Sequence, residues 1–344
     1  MRFRVSRNLR WTEVAATAAG AGVWLFVFAS SVSRAEERPG PPQVEGFESS
    51  EALMKAIQSG KVPFVNVNPA VPEGVVEEKG IEYGRVGDRA LELDLFLPKK
   101  REKPVPGLIC IHGGGWVGGK RDDYRVYAIR YAEMGYVTAT VSYRLSGEAP
   151  FPAAVSDAKC AVRWLRANAE KYGVDPEAIG VIGASAGGHL SMMVGYSSDV
   201  PELEGDGGHE GVGSRVQAVV NFYGPTDMTT EFAREKGVVE KFLGGVTYDE
   251  DPRPFEKVSP LHYLTQDDPP TLVFQGTIDS IVPVDQADAL DKKLTELGID
   301  HVYDRIEGWE HTMDLAQEVN DRCVYIMDRF LEKHLPLPPA ADSP

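Results

Sequence analysis

One short segment constrains this chain more than any other: Ile179-Gly-Val-Ile-Gly-Ala-Ser-Ala-Gly-Gly188. An apolar run suited to a buried strand passes directly into Gly183-Ala184-Ser185-Ala186-Gly187, and a helix-compatible stretch follows. A G-x-S-x-G between a strand and a helix turns the chain sharply and lifts the serine hydroxyl above the sheet in a strained backbone conformation. Glycines at the flanking positions leave room for the neighbouring backbone to pass. The plainer alternative is a Gly-rich turn with an incidental serine, and the strand–turn–helix context weighs against it.

The surrounding sequence supplies the sheet that such a turn requires. Val76–Arg85 and Ala90–Leu97 alternate around Gly87-Asp88, the pattern of a β-hairpin. Leu108–Ile111, Val137–Ser142, Ile179–Ile182, Val216–Asn221, Thr271–Phe274 and His301–Arg305 are short apolar runs suited to strands covered on both faces. Asp122–Met134, Pro152–Tyr172, Val284–Leu297 and Asp314–His334 have apolar residues at helical spacing. In the second of these, Ala154, Ala158, Ala161, Val162, Leu165 and Ala169 form one stripe, and Gly173 ends it. Strands alternating with helices predict an α/β fold: a mostly parallel eight-stranded sheet with helices on both faces.

Both ends fall outside that pattern. Arg2, Arg4, Arg7 and Arg10 precede an apolar run from Val14 to Ser30, and Ser33-Arg34-Ala35 places small residues where a signal peptidase reads. Residues 1–35 are expected to be a signal peptide; the rival reading is an uncleaved anchor, for which the run is short and diluted by Thr17, Gly20 and Gly22. Residues 36–74 read as a linker or an N-terminal extension lying on the catalytic domain, with one short helix over Glu48–Ser59. Residues 75–335 form that domain, and the Pro-rich 336–344 is expected to be a disordered tail. The net charge of −16, with no basic cluster after the first ten residues, argues against nucleic acid and anionic membranes as partners. Three widely spaced cysteines, Cys110, Cys160 and Cys323, make neither a disulfide framework nor a metal site.

A serine nucleophile needs a base, an orienting acid and donors for the oxyanion it creates. Ile111-His112-Gly113-Gly114-Gly115-Trp116 follows an apolar strand. Its glycines allow backbone amides close to a developing charge, each such donor being worth about 2.7–4 kcal/mol of barrier. Gly113, Gly114 and Gly115 are the candidates, Gly114 with one neighbour favoured, and the amide of Ala186 at the helix start completes the hole. Trp116 is either a wall of the substrate pocket or a structural aromatic. Of seven histidines, His311 alone lies in a loop after the last strand and before the last helix, where ligand-handling groups gather in such sheets. His112, His189, His209, His262, His301 and His334 are placed less well; His189, four residues past Ser185 on the same helix, is too far down the axis. Asp279, after Leu272–Gly276, is the expected acid, giving the chain order Ser–Asp–His. Asp285 lies inside a helix, and Asp227 is explained by turn capping.

The H-G-G-G-W loop, the G-x-S-A-G-G elbow and Tyr143-Arg144-Leu145 resemble the hormone-sensitive-lipase-like branch of the α/β-hydrolases. Ala161–Ala169, Tyr172-Gly-Val-Asp-Pro176, Ser185–Leu190, Gly224-Pro-Thr-Asp227 and Pro269-Pro270…Asp279…Val282-Pro283 are similar to bacterial feruloyl-esterase-type and acetyl-esterase-type carboxylesterases. The match covers about residues 75 to 335. It implies an α/β-hydrolase fold and cofactor-free esterase activity on short acyl, acetyl or feruloyl esters, small or linked to a polysaccharide. Gln275 departs from the family, which often has His there, and residues 36–71 are unmatched. An amidase or arylformamidase, a non-catalytic binding module and a membrane-anchored interaction protein are the other readings. The loops Val200–Arg215 and Thr229–Pro254 are expected to shape the acyl pocket.

Overall fold

The structure, a computed structural model, describes residues 39–339; the expected signal peptide and residues 340–344 of the expected tail lie outside them. Eight strands make one sheet: β1 (Val75–Val86), β2 (Arg89–Pro98), β3 (Val105–Ile111), β4 (Val137–Val141), β5 (Val174–Ala184), β6 (Ala218–Phe222), β7 (Thr271–Gly276) and β8 (His301–Ile306). Their order is β1-β2-β4-β3-β5-β6-β7-β8. The first two form the expected hairpin, with Gly87 at φ 56° in its turn, and β2 pairs antiparallel with β4. All later pairings are parallel.

Alternate residues of the central strands feed two separate cores. Ile109, Ile111, Val181, Val219 and Val273 face α3 (Ala153–Ala167), α5 (Ala186–Tyr196) and α9 (Val284–Leu297). Leu108, Cys110, Ile182, Val220 and Leu272 face α1 (Ser50–Gln58), α2 (Arg125–Met134) and α10 (Gln317–His334). This period-two division, with apolar residues on both faces, is why the strands read as continuous hydrophobic runs. The mostly parallel sheet with helices on both faces is therefore present.

Several boundaries differ from expectation. The helix expected over 152–172 breaks at Asn168, after which α4 (Ala169–Tyr172) runs to a left-handed cap at Gly173, φ 63°. The helix expected from Asp314 begins at Gln317, preceded by a 3-10 turn at Met313–Leu315. Thr229–Pro254, read as loop, carries α6 (Glu231–Arg234) and α7 (Gly237–Phe242), and α8 (Arg253–Lys257) starts at its end. Helices of one turn or so are too short to show periodicity.

Residues 41–74 lie on the domain. The Ser49 hydroxyl caps α1 by accepting from the Ala52 amide at 3.3 Å, and Leu53, Ala56 and Val62 are buried in the core shared with α2 and α10. At the other end, fraying does not start at residue 336: Leu335 is buried and Leu337 packs against both cores. All three cysteines are buried free thiols.

Candidate active site

Every candidate group stands at the carboxyl end of a parallel strand, where loops open above the sheet. β5 ends at Ala184, and Ser185 turns the chain into α5 at φ 54°, ψ −121°. Only a very close approach of neighbouring backbones permits this. A Cβ on Gly187 would lie 2.1 Å from the Ile111 carbonyl oxygen, so glycine there lets α5 abut the end of β3. The Ser185 amide is held by the Phe222 carbonyl at 2.8 Å.

The structure brings the three predicted side chains together in a chain of contacts. His311 Nε2 lies 3.0 Å from Ser185 Oγ, and His311 Nδ1 donates to Asp279 Oδ2 at 2.7 Å. The Asp279 side chain is fully buried. Its other oxygen accepts from the Ile281 and Val282 amides at 2.9 and 2.8 Å, and Oδ2 also accepts from Gln275 Nε2 at 3.0 Å. Gln275, which departs from the related sequences, thus fixes the carboxylate from behind. The Asp279 bond holds the proton on Nδ1 and leaves Nε2 free to accept from the serine hydroxyl. Asp227 does accept from the amide and hydroxyl of its own turn's Thr229.

The glycine loop lies against this elbow. A Cβ on Gly113 would meet the Ala184 carbonyl oxygen at 2.8 Å and Ser185 Cβ at 3.4 Å. The loop's carbonyls are pinned from elsewhere: Tyr143 Oη donates to His112 O at 3.1 Å, His112 Nδ1 to Gly113 O at 2.8 Å, and the Gly118 amide to Gly114 O at 3.0 Å. Fixing the carbonyls fixes the peptide planes. Among the described residues, the Gly114 and Gly115 amides donate to no protein acceptor. Ala186 opens α5, where first-turn amides have no intrahelical partner.

Two cavities flank Ser185. The larger, about 430 Å³, is bounded by Gly113, Gly114, His311, Thr312 and Asp314 among others, and by Val65 and Val67 of the N-terminal segment. The smaller, about 70 Å³, lies between Trp116, Ala186, Phe232, Val238 and Val239. Trp116 therefore walls a pocket and is also structural: its indole stacks on Phe242 at 4.5 Å and donates to His189 Nδ1 at 3.2 Å. Residues 200–215 line neither cavity. Instead Glu204 of that loop is tied to Lys159 and Arg163 of α3, which draws the loop away from the site.

Other residues around the site play supporting roles, among them His189, set aside as a base, and Tyr223, Tyr127 and Asp314, which no sequence motif marks. Buried His189 donates from Nε2 to the Val258 carbonyl at 2.7 Å, and burial holds its pKa down at about 4, so it backs Trp116 as a neutral ring. Tyr223, at the end of β6 with φ 40°, has its ring 4.6 Å from that of His311. The Tyr223 and Tyr127 hydroxyls donate to the buried Asp314, three residues past His311; burial pushes that carboxyl up and the two hydroxyls oppose it. Placement at a strand end was the one signal available for Tyr223.

Comparison with known proteins agrees with this architecture. Esterase LipC of Mycobacterium tuberculosis is 36% identical over 70% of this chain, and esterase LipQ of the same organism is 32% identical over 80%. The chain spans 60% and 66% of the length of those two relatives. A truncated carbohydrate esterase from gut microbiota superposes with a TM-score of 0.65 at 27% identity, covering 76% of this chain and 99% of that one. Esterase 2 of Thermogutta terrifontis gives a TM-score of 0.67 at 25% identity over 80% of this chain and all of its own. Residues 93–294, more than half of the chain, match the BD-FAE family model, and the protein belongs to that family of α/β-hydrolases.

Proposed function

We propose that the protein is a carboxylesterase that works through a covalent acyl-enzyme on Ser185. The observation that carries this reading is the unbroken contact chain from Ser185 Oγ to His311 to Asp279, at 3.0 and 2.7 Å. Ser185 attacks the ester carbonyl carbon while His311 Nε2 takes its proton, and Asp279 stabilises the imidazolium. The carbonyl oxygen becomes an oxyanion facing the amides of the Gly113–Gly115 loop and Ala186. Collapse breaks the bond to the alcohol oxygen, which leaves with the proton from His311. Water, deprotonated by the same imidazole, then releases the acid and regenerates the serine. No step requires a cofactor.

The esterase names of the relatives support the reaction class. The T. terrifontis esterase is described as phosphonylated by cyclosarin and as phosphorylated by paraoxon, reactions of an activated nucleophile. For this chain the acyl group is short. The alcohol oxygen must lie within reach of His311, so the alcohol occupies the larger cavity and the acyl group the smaller, at Trp116. About 70 Å³ favours acetyl or propionyl over a feruloyl ring; the T. terrifontis enzyme is also described with propionate bound.

Ser185→Ala tests the mechanism: hydrolysis of p-nitrophenyl acetate is expected to fall by roughly 10⁴-fold or more with unchanged thermal unfolding. Full residual activity overturns it. On a substrate panel, acetylated xylan should be turned over faster than methyl ferulate. Faster turnover of a formyl amide would replace the ester assignment with an amidase. We further read the protein as exported and free of stable membrane attachment. N-terminal sequencing of the cell-envelope or culture-fluid form should begin at Glu36, and a start at Met1 overturns that reading.

A further inference from the structure

The segment before the sheet is laced to the His311 loop on both sides of the imidazole. Ahead of His311, the Phe47 amide donates to Gly308 O at 3.0 Å, Trp309 Nε1 donates to Glu45 O at 3.2 Å, and the Ser50 hydroxyl donates to Glu310. The Phe47 ring meets the Trp309 indole edge-on at 5.4 Å. The backbones come so close that a Cβ on Gly46 would lie 2.1 Å from Glu307 O. Beyond His311, the Val65 amide donates to Leu315 O at 2.9 Å, the Gln317 amide donates to Pro63 O at 2.8 Å, and Phe64 bridges Ala316. These bonds fix residues 63–65 as an extended strap across the loop, and Val65 and, two residues on, Val67 both line the larger cavity. The strap lies outside the family match, which starts at residue 93.

We propose that residues 45–67 are a built-in specificity element, in which Val65 and Val67 select the alcohol half of the substrate. This rests on the assignment of Ser185 and His311 as nucleophile and base. The base returns its proton to the leaving oxygen, so the alcohol enters the cavity that contains His311, and that cavity is the one the strap walls. Val67 at 43% exposure and Ile281 at 53% also line it, each presenting apolar surface to solvent. Asp123, Thr312, Asp314 and Asn320 line the cavity too, but most of its exposed wall is apolar, and such a wall favours a bulky alcohol with a flat apolar face.

The test uses the full chain and two acetates whose leaving groups have similar basicity, phenyl acetate and 2-naphthyl acetate. The readout is the naphthyl-to-phenyl ratio of kcat/KM, which cancels changes common to both. Val67→Trp narrows the cavity and should lower the ratio about tenfold or more, and Val67→Ala should raise it. Thermal unfolding is followed in parallel. If Val67→Trp does not fold, Val65→Ala and Val67→Ala report the same ratio in the widening direction. A ratio unmoved in the folded variants of an active enzyme overturns this inference alone. A wild type that hydrolyses neither ester overturns it together with the esterase assignment.

Discussion

One carboxylate oxygen of Glu310 accepts from both the amide and the hydroxyl of Ser280, at 2.9 and 3.0 Å. The same oxygen accepts from the His311 amide at 3.3 Å. Ser280 follows Asp279, so a single side chain ties the Asp279 loop to the His311 loop. The Ile278 amide donates to Trp309 O at 3.2 Å, and the Gly308 amide to Thr277 Oγ1 at 2.8 Å, lacing the same two loops. Burial pushes the Glu310 carboxyl up, but the donors from Ser50, Ser280 and His311 outweigh it and leave the group below its ordinary value. Glu310 is therefore a carboxylate at neutral pH, and it acts on the chemistry only by holding Asp279 and His311 in register.

Glu310→Ala is accordingly expected to lower kcat by about 10- to 100-fold, the range in which small misplacements of reacting groups cost rate. KM should change by much less, because Glu310 lines neither cavity. Glu310→Gln keeps one acceptor oxygen and should recover most of the loss. Steady-state kinetics of the two variants decide the matter. Full kcat in Glu310→Ala would show that the loops hold their register without it.

The contrast between Ser185 and Glu310 shows what can be read from the chain and what cannot. Ser185, Asp279 and His311 sit in local patterns with a known place on the sheet: a strand, a turn rich in glycine or acid, then a helix. That context carries information even though the three are far apart in sequence. Glu310 has no such pattern; its role arises from Ser280 and Ser50, which only the fold brings near. Val65 and Val67 were hidden for a related reason, since an extended strap after a short helix has no periodicity of its own. The loop at 200–215, expected to shape the acyl pocket, lines neither cavity, because loop conformation is not written in local pattern. Its one decisive contact, Glu204 with two buried cations of α3, is long-range.

The elbow's glycines can be tested by volume alone. Gly187→Ala forces a Cβ to within 2.1 Å of Ile111 O and 2.7 Å of His112 O, both backbone atoms that cannot swing aside. The expected cost is about 1–3 kcal/mol of stability, with activity reduced further because the displaced segment carries the proposed oxyanion donors. Gly213→Ala meets nothing within 4 Å and should be near neutral. Urea unfolding of the pair reads the difference. Equal midpoints would mean that α5 is not wedged against β3.

Acid should destabilise the protein through His189. Its pKa falls from about 6.5 in the unfolded chain to about 4 on burial. Between those values the unfolded chain binds a proton that the folded protein refuses, so stability drops as pH falls through this window and is fully retained above it. The loss is on the order of 3 kcal/mol by pH 4. His189→Gln removes the titration while offering Trp116 an acceptor oxygen. The wild type should therefore lead the variant at pH 7.5 by more than at pH 4.5, measured by denaturant midpoints. A stability difference that does not vary with pH would remove His189 from the account of acid sensitivity.

The smaller cavity makes the sharpest statement about substrate. Val239 is 2% exposed and lines that cavity beside Phe232 and Trp116, so trimming it to alanine lengthens the space available to the acyl chain without touching Ser185 or His311. One methylene accommodated or refused in an apolar pocket is worth roughly 1–3 kcal/mol, about 10- to 200-fold in kcat/KM. In Val239→Ala the ratio of p-nitrophenyl butyrate to p-nitrophenyl acetate hydrolysis should therefore rise by about tenfold. Phe232→Ala should move it in the same direction. Val302→Ala, on the exposed face of β8 and outside both cavities, should leave the ratio where it is. If the wild type already hydrolyses the butyrate as well as the acetate, or if trimming Val239 leaves the preference unmoved, the acyl group does not lie between Trp116 and Val239. The two cavities would then have to exchange their roles.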